Sequence, residues 1–157
     1  MNHAKAFTVR HADWHVHHAM LAAIRYEVFV VEQRVPEEEE WDDLDAVSRH
    51  VVALAGDAGV GIGIGTGIGT GRLLPDGRIG RMAVLKAWRG RGVGSALLSA
   101  LIQLARDDGH SETILHAQTH ARAFYARHGY TPVGGEFMEA GIPHIEMRLR
   151  LGRQAMP

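Results

Sequence analysis

Gly80-Arg81-Met82-Ala83-Val84-Leu85, followed after Lys86-Ala87-Trp88 by Arg89-Gly90-Arg91-Gly92-Val93-Gly94, is the stretch on which the fold turns. The first part reads as a β-strand, and the run from Gly92 to Asp108, closed by Gly109, reads as an apolar helix. A glycine-rich turn between them leaves the first amides of the helix, those of Val93, Gly94 and Ser95, without partners inside it. Glycine removes the side chains that would block a close approach, the helix dipole favours negative charge, and Arg89 and Arg91 add cations. The turn is an anion site, and a pyrophosphate is its natural occupant.

Three ligand classes use such a turn. A nucleotide P-loop needs Gly-x-x-x-x-Gly-Lys-Ser/Thr, and no Lys-Ser or Lys-Thr pair occurs in the chain. A dinucleotide fold needs Gly-x-Gly-x-x-Gly, with an acidic residue closing the second strand. Gly90, Gly92 and Gly94 have the wrong spacing, and the next strand, Thr113 to Ala117, does not end in Asp or Glu.

What remains is Arg-x-x-Gly-x-Gly at Arg89, Gly92 and Gly94, which resembles the acyl-coenzyme-A pyrophosphate loop of the GNAT N-acetyltransferase superfamily. A second segment follows a short strand from Ser111 to Ala117. Gln118, Ala121, Phe124, Tyr125, Gly129 and Tyr130 resemble the superfamily signature Asn/Gln-x-x-Ala-x-x-Phe-Tyr-x-x-x-Gly-Phe/Tyr. The segments from Arg25 to Gln33, from Glu40 to Asp45 with His50, and from Gly141 to Met147 are similar to its ElaA-like branch. The resemblance covers most of the chain, except its first residues and a glycine repeat between residues 60 and 71, where the branch usually has a shorter segment.

The resemblance implies one GNAT domain over residues 1–157, a mixed and mostly antiparallel sheet flanked by helices, and direct transfer of an acetyl group from acetyl-coenzyme A to an amine of a small molecule or peptide. Backbone groups near Met82, Ala83 and Val84 would hydrogen-bond the pantetheine and the thioester carbonyl, in the manner of an added strand. Gln118, Ala121 and Phe124 would join Arg89, Gly90, Arg91, Gly92, Val93, Gly94 and Ser95 in holding the donor. Tyr125 matches the tyrosine that protonates the departing sulfur, a task open to a phenol because it is protonated at neutral pH. The group that takes the proton from the acceptor ammonium is less defined. His116, at the end of the strand leading to Gln118, and Glu32, after an apolar helix face, are candidates beside Glu40, Asp42, His50 and His144. The other functional class is a non-catalytic acyl-coenzyme-A sensor, and the resemblance also admits a homodimer paired through sheet edges.

Bulk properties agree with a compact enzyme. The 157 residues suit one domain, and 46% hydrophobic residues supply one core. A net charge of -1 gives no bulk attraction to nucleic acid or to anionic lipid. No cysteine is present, which excludes a thiolate nucleophile, a disulfide framework and zinc-thiolate chemistry. The N-terminus lacks a signal-type apolar run and no stretch is long enough to cross a bilayer, so a cytoplasmic location without membrane partners is expected. His11, His15, His17 and His18 raise a metal site as a third class, but near a helix start they read as surface residues and no metal is expected.

The element order expected is β-α-α-β-β-β-α-β-α-β-β. Phe7 to His11 is the first strand, and a helix from about Val16 carries Met20, Ile24, Val28 and Val31 at helical spacing. Glu37 to Glu40 follows Pro36 as a loop or short helix, more a solvated surface than a lure for substrate, and His50 to Ala55 is the next strand. Val60 to Arg72 alternates glycine with Ile62, Ile64 and Ile68, a period suited to a strand whose bare face either frays or lies against another backbone. The last two strands, Tyr130 to Met138 and His144 to Leu151, are expected to join through a Gly141-Ile142-Pro143 turn.

Overall fold

The computed structural model describes residues 6–56 and 66–152. Its elements follow the expected order: β1 (Phe7–Ala12), α1 (Trp14–Arg25), α2 (Glu37–Glu40), β2 (Arg49–Ala55), β3 (Gly67–Leu73), β4 (Ile79–Val84), α3 (Val93–Asp107), β5 (Glu112–Gln118), α4 (Arg122–Arg127), β6 (Thr131–Glu139) and β7 (Ile142–Arg150). Asp13 caps α1 by accepting a hydrogen bond from the His15 amide at 2.8 Å. The helix then continues over Tyr26–Glu32 in π winding, and the Gln33 amide bonds the Val28 carbonyl at 3.0 Å. Met20, Ile24 and Val28 are buried as the spacing predicts, but Val31 is 52% exposed because the wider π turn carries it off the apolar face.

The strands form two antiparallel sheets, β1-β2-β3-β4 and β5-β7-β6. Among the described residues they meet through a single parallel bridge, Arg78 with Ile114, beside a 2.8 Å hydrogen bond from Thr113 Oγ1 to the Gly77 carbonyl. Beyond that point β4 and β5 pair no further, so the sheets part and leave an opening. Helices cover both faces of the first sheet, following the alternation of β2. Val51 and Ala53 join the core under Leu97, Leu98, Leu101 and Leu104 of α3, while Val52 and Leu54 pack under Met20, Leu21 and Ile24 of α1.

Close helix packing explains the described end of the glycine repeat. A Cβ on Gly69 would lie 2.9 Å from Leu97 Cδ1, and one on Gly71 would lie 2.7 Å from Leu101 Cδ1, so the bare face of β3 is what lets α3 sit down on the sheet. Ala53 pairs with Gly69 but Leu54 pairs with Gly67, so Ile68 is an extra residue that turns Gly67 to the other face, against Met20 and Ile24 of α1. Residues 57–65, the rest of the segment read as a frayed strand or hairpin, lie outside the described residues.

The last hairpin corrects the expected turn. Ala140 and Gly141 occupy it, with φ of 51° and 75°, and Pro143 lies inside β7, paired with Met138. Proline is accommodated there because β5 ends its pairing at Gln118 with His144, one residue short of it.

Candidate active site

The opening between the sheets is a cavity of about 990 Å³. The π turn (Val28, Phe29, Glu32, Gln33) forms one wall, β4 from Gly80 to Val84 the floor, and β5 and β7 (Leu115, His116, Gln118, His144) the facing wall, closed by Phe124 and Tyr125 of α4. Of the residues marked in the sequence, Glu32, Glu40, Asp42, Met82, Ala83, Val84, Arg89, Gly94, His116, Gln118, Ala121, Phe124, Tyr125 and His144 line this one space. Gly90, Arg91, Gly92, Val93 and Ser95 stand outside its walls; Val93 in particular is a core side chain, 1% exposed, that offers the turn only its amide.

The glycine-rich turn between β4 and α3 is left-handed at two of its residues. Gly90 and Gly92 have φ of 76° and 83°, a region where other residues are strained, and the first bond of α3 runs from the Ala96 amide to the Gly92 carbonyl. The amides of Val93, Gly94 and Ser95 therefore precede the helical ladder. Arg91 lies over the Trp88 ring at 4.9 Å. Arg89 is engaged instead of free: its Nε donates to the Val84 carbonyl at 3.0 Å, and its other nitrogens meet both oxygens of Glu32 at 2.5 and 2.8 Å. The same hydrogen bonds hold Glu32 below the ordinary carboxylate range, and a carboxylate so paired is a weak proton acceptor. Ser95 Oγ lies 3.1 Å from Nε2 of His128, whose pKa burial pulls down.

β4 is distorted where it floors the cavity. Thr70 pairs with Ala83 and Arg72 with Gly80, so Arg81 and Met82 together oppose Gly71. In this bulge Arg81 adopts φ of 51°, a left-handed conformation that costs an L-residue about 1–2 kcal/mol. Its guanidinium reaches across to the Glu40 carbonyl at 3.2 Å and to Asp42 at 3.4 Å. These belong to a buried ionic cluster in which Arg25, 1% exposed, bonds Glu40 at 2.8 Å and Asp45 at 2.7 Å between the rings of Trp14 and Trp41. Arg72 holds Asp42 and Asp45, and its hydrogen bonds to Asp42 pull that carboxyl down to about 2. Burial pushes Glu40 up. Glu37, Glu38 and Glu39 are the solvated surface expected, whereas Glu40 is buried by this pairing. His50 is also buried, stacked on Trp14 with Nε2 2.9 Å from the Asp45 carbonyl, away from the cavity.

Tyr125 stands at the junction of the walls. Burial pushes its phenol up to about 12, and among the described residues its hydroxyl has one polar contact, Met82 Sδ on β4, 3.9 Å away. A thioether accepts weakly, so the hydroxyl keeps its proton and is free to donate it elsewhere. Gln118 closes a reciprocal amide pair with Gln33 of the π turn, at 2.9 and 3.3 Å, which ties the second sheet to the helix wall. Because Gln118 and His116 alternate with the buried Leu115 and Ala117, the imidazole lies on this same cavity face. His116 Nδ1 is 3.1 Å from Glu139 Oε1.

Glu139 and Gln33 are among the cavity groups that sequence reasoning did not mark as functional, with Arg72, Arg78 and His120. Glu139 reaches His116 only through the register of the β6–β7 hairpin, and no local pattern signals that. Gln33 stood in a segment quoted for its resemblance, which was the available signal. Among the described residues, no group of three or more His, Asp or Glu side chains is placed to hold a metal ion, and no helix is long and apolar enough to cross a membrane.

A family model described as an acetyltransferase (GNAT) domain matches residues 17–151. An uncharacterized N-acetyltransferase of Bacillus subtilis strain 168, YjcF, is 44% identical over 125 residues, 79% of this chain and 86% of its own. The crystal structure of an acyl-CoA N-acyltransferase from Pseudomonas aeruginosa is 35% identical with a TM-score of 0.74, covering 90% of this chain and 97% of that one. The crystal structure of Escherichia coli ElaA, 27% identical, has a TM-score of 0.75 over 94% of this chain and 99% of its own.

Proposed function

Because this chain belongs to the GNAT acetyltransferase family, we propose that it transfers the acetyl group of acetyl-coenzyme A directly to an amine, with Tyr125 as the general acid and His116 as the group that accepts the acceptor's proton. The observation that carries this reading is the position of Tyr125: a protonated phenol without a strong partner, in the cavity that begins at the anion turn.

The pyrophosphate of the donor sits on the amides of Val93, Gly94 and Ser95, with Arg91 beside it. Arg89 joins when it exchanges Glu32 for phosphate. The pantetheine runs along β4 through the gap where β5 has parted from it, and the bulge at Arg81 and Met82 presents backbone groups to the thioester carbonyl. The acceptor enters on the opposite side, against the π turn and the His116 face. Its ammonium gives one proton to His116; the amine nitrogen then bonds the carbonyl carbon, the C–S bond breaks, the sulfur takes the Tyr125 proton, and the second proton leaving the nitrogen restores the phenol, directly or through solvent. No covalent intermediate with the enzyme is needed, and the cysteine-free sequence offers no thiol for one.

Tyr125→Phe tests the reading. Donor affinity by isothermal titration should stay within about twofold, while the acetylation rate falls about 100-fold or more, within the usual reach of one general acid. Undiminished turnover would remove Tyr125 from the chemistry. Donor binding by the native chain without acetylation of any amine in a broad panel would point to a sensor instead of an enzyme.

A further inference from the structure

We propose that Glu139 is a positioning residue that fixes the tautomer and ring orientation of His116, an inference that rests on the reading of His116 as proton acceptor. The hairpin register puts Gln118 opposite His144, and His116 opposite Glu146, on one face of the second sheet. Phe137, opposite His144 on β6, meets the His116 ring edge-on at 5.0 Å and sets its plane. Glu139 then reaches Nδ1 of His116 with one oxygen, at 3.1 Å. A carboxylate can only accept, so this contact demands a proton on Nδ1 and leaves the lone pair of a neutral imidazole on Nε2.

The surroundings direct the charge of Glu139 at His116. Among the described residues its ion-pair partners are imidazoles alone, with no arginine or lysine. His144 lies 3.7 Å from the other Glu139 oxygen, but its own Nδ1 proton is committed to the Ile142 carbonyl at 2.6 Å, so the neutral ring has no proton to offer Glu139. Glu146 stands 3.8 Å from His116 Nε2, with its charge offset by Arg148 at 3.0 Å. From the β4 side the charged groups are Arg78 and Arg81, paired with Asp76 and with Glu40 and Asp42, and α4 contributes the neutral Tyr125. The turn that delivers Glu139 holds Ala140 in a strained left-handed conformation, φ 51°, where a tight hairpin favours Asn or Gly.

The experiment is side-chain NMR of the full chain in alkaline buffer, read at the ring nitrogens and carbons of His116. Glu139 is about half exposed at the end of a hairpin, so its replacement leaves the core untouched. In the native protein His116 should show the Nδ1–H tautomer. Glu139→Gln keeps an acceptor oxygen and should keep that tautomer. Glu139→Ala should lose the tautomer preference, and Glu139→Asp should restore much of it. A native Nε2–H tautomer, or a tautomer population that is the same in the native protein and the Ala variant, would overturn the proposal. A purely structural role would lower the melting temperature and leave that tautomer population in place. Acetyl transfer that survives His116→Ala would instead remove the reading on which the proposal rests, whatever the tautomer.

Discussion

Replacing Gly94 by alanine should move stability and donor affinity in opposite directions. Gly94 is the second residue of α3, and its backbone is not among those with positive φ. A Cβ there would lie 3.5 and 3.6 Å from Phe124 ring carbons and 4.0 Å from Val84 Cγ2, ordinary contact distances. Neither backbone nor packing requires glycine, and a helical alanine is worth up to about 0.5–1 kcal/mol over glycine, or roughly 1–4 °C in a domain of this size. The methyl group would nevertheless stand at the mouth of the cavity, on the helix end that the pyrophosphate must approach. Overpacking costs about 1–3 kcal/mol, which weakens acetyl-coenzyme A binding roughly 5- to 150-fold. Isothermal titration and scanning calorimetry in one buffer read both quantities. Gly92→Ala is the contrast, because φ of 83° with nothing within 4 Å makes it a backbone penalty of about 1–2 kcal/mol without a new contact in the protein. If Gly94→Ala binds the donor with native affinity, the donor does not approach this end of α3 closely and the placement of its pyrophosphate is wrong.

Two further predictions concern the scaffold under the site. Asp42, ordinarily near 3.8, is held at about 2, so it stabilises the fold above pH 4 and that contribution disappears as pH falls through about 2. The shift corresponds to at most about 2 kcal/mol, reduced by partial exposure. Asp42→Asn should accordingly flatten the acid limb between about pH 4 and pH 2 in urea unfolding, and an unchanged slope would refute the pairing with Arg72. Gly69→Ala places its Cβ 2.9 Å from Leu97, 3.1 Å from Val93 and 3.2 Å from the Ala83 carbonyl, and the last is backbone of β4 that cannot rotate away. A loss of about 1–3 kcal/mol is expected by denaturant unfolding, whereas Gly80→Ala, with nothing within 4 Å, should be neutral or gain about 0.4–1 kcal/mol.

Local patterns made much of the site readable. Glycine at 90 and 92, where φ is positive, and the apolar spacing of Val93, Leu97, Leu101 and Leu104 are properties of neighbours in the chain, and they announce the turn and its helix. The Gln118 to Tyr130 segment placed Tyr125 in the same cavity as that turn. Val31 and the last turn were misread, since period-counting assumes regular winding and a Gly-Ile-Pro string resembles a turn until β5 is known to stop before Pro143.

Position along the chain thus determined which residues could form the anion turn, which strand leads into it and which tyrosine follows, because each rests on interactions within a few residues. Only the tertiary structure decided how those parts face one another. The register of β6 on β7 brings Glu139 to His116, the parting of β4 from β5 opens the cavity, and buried charges at Arg25 and Arg72 select Glu40, Asp42 and Asp45 out of an acidic stretch. Such pairings join residues from about 15 to 30 positions apart in the chain, and their energies exist only after folding has excluded water from between them.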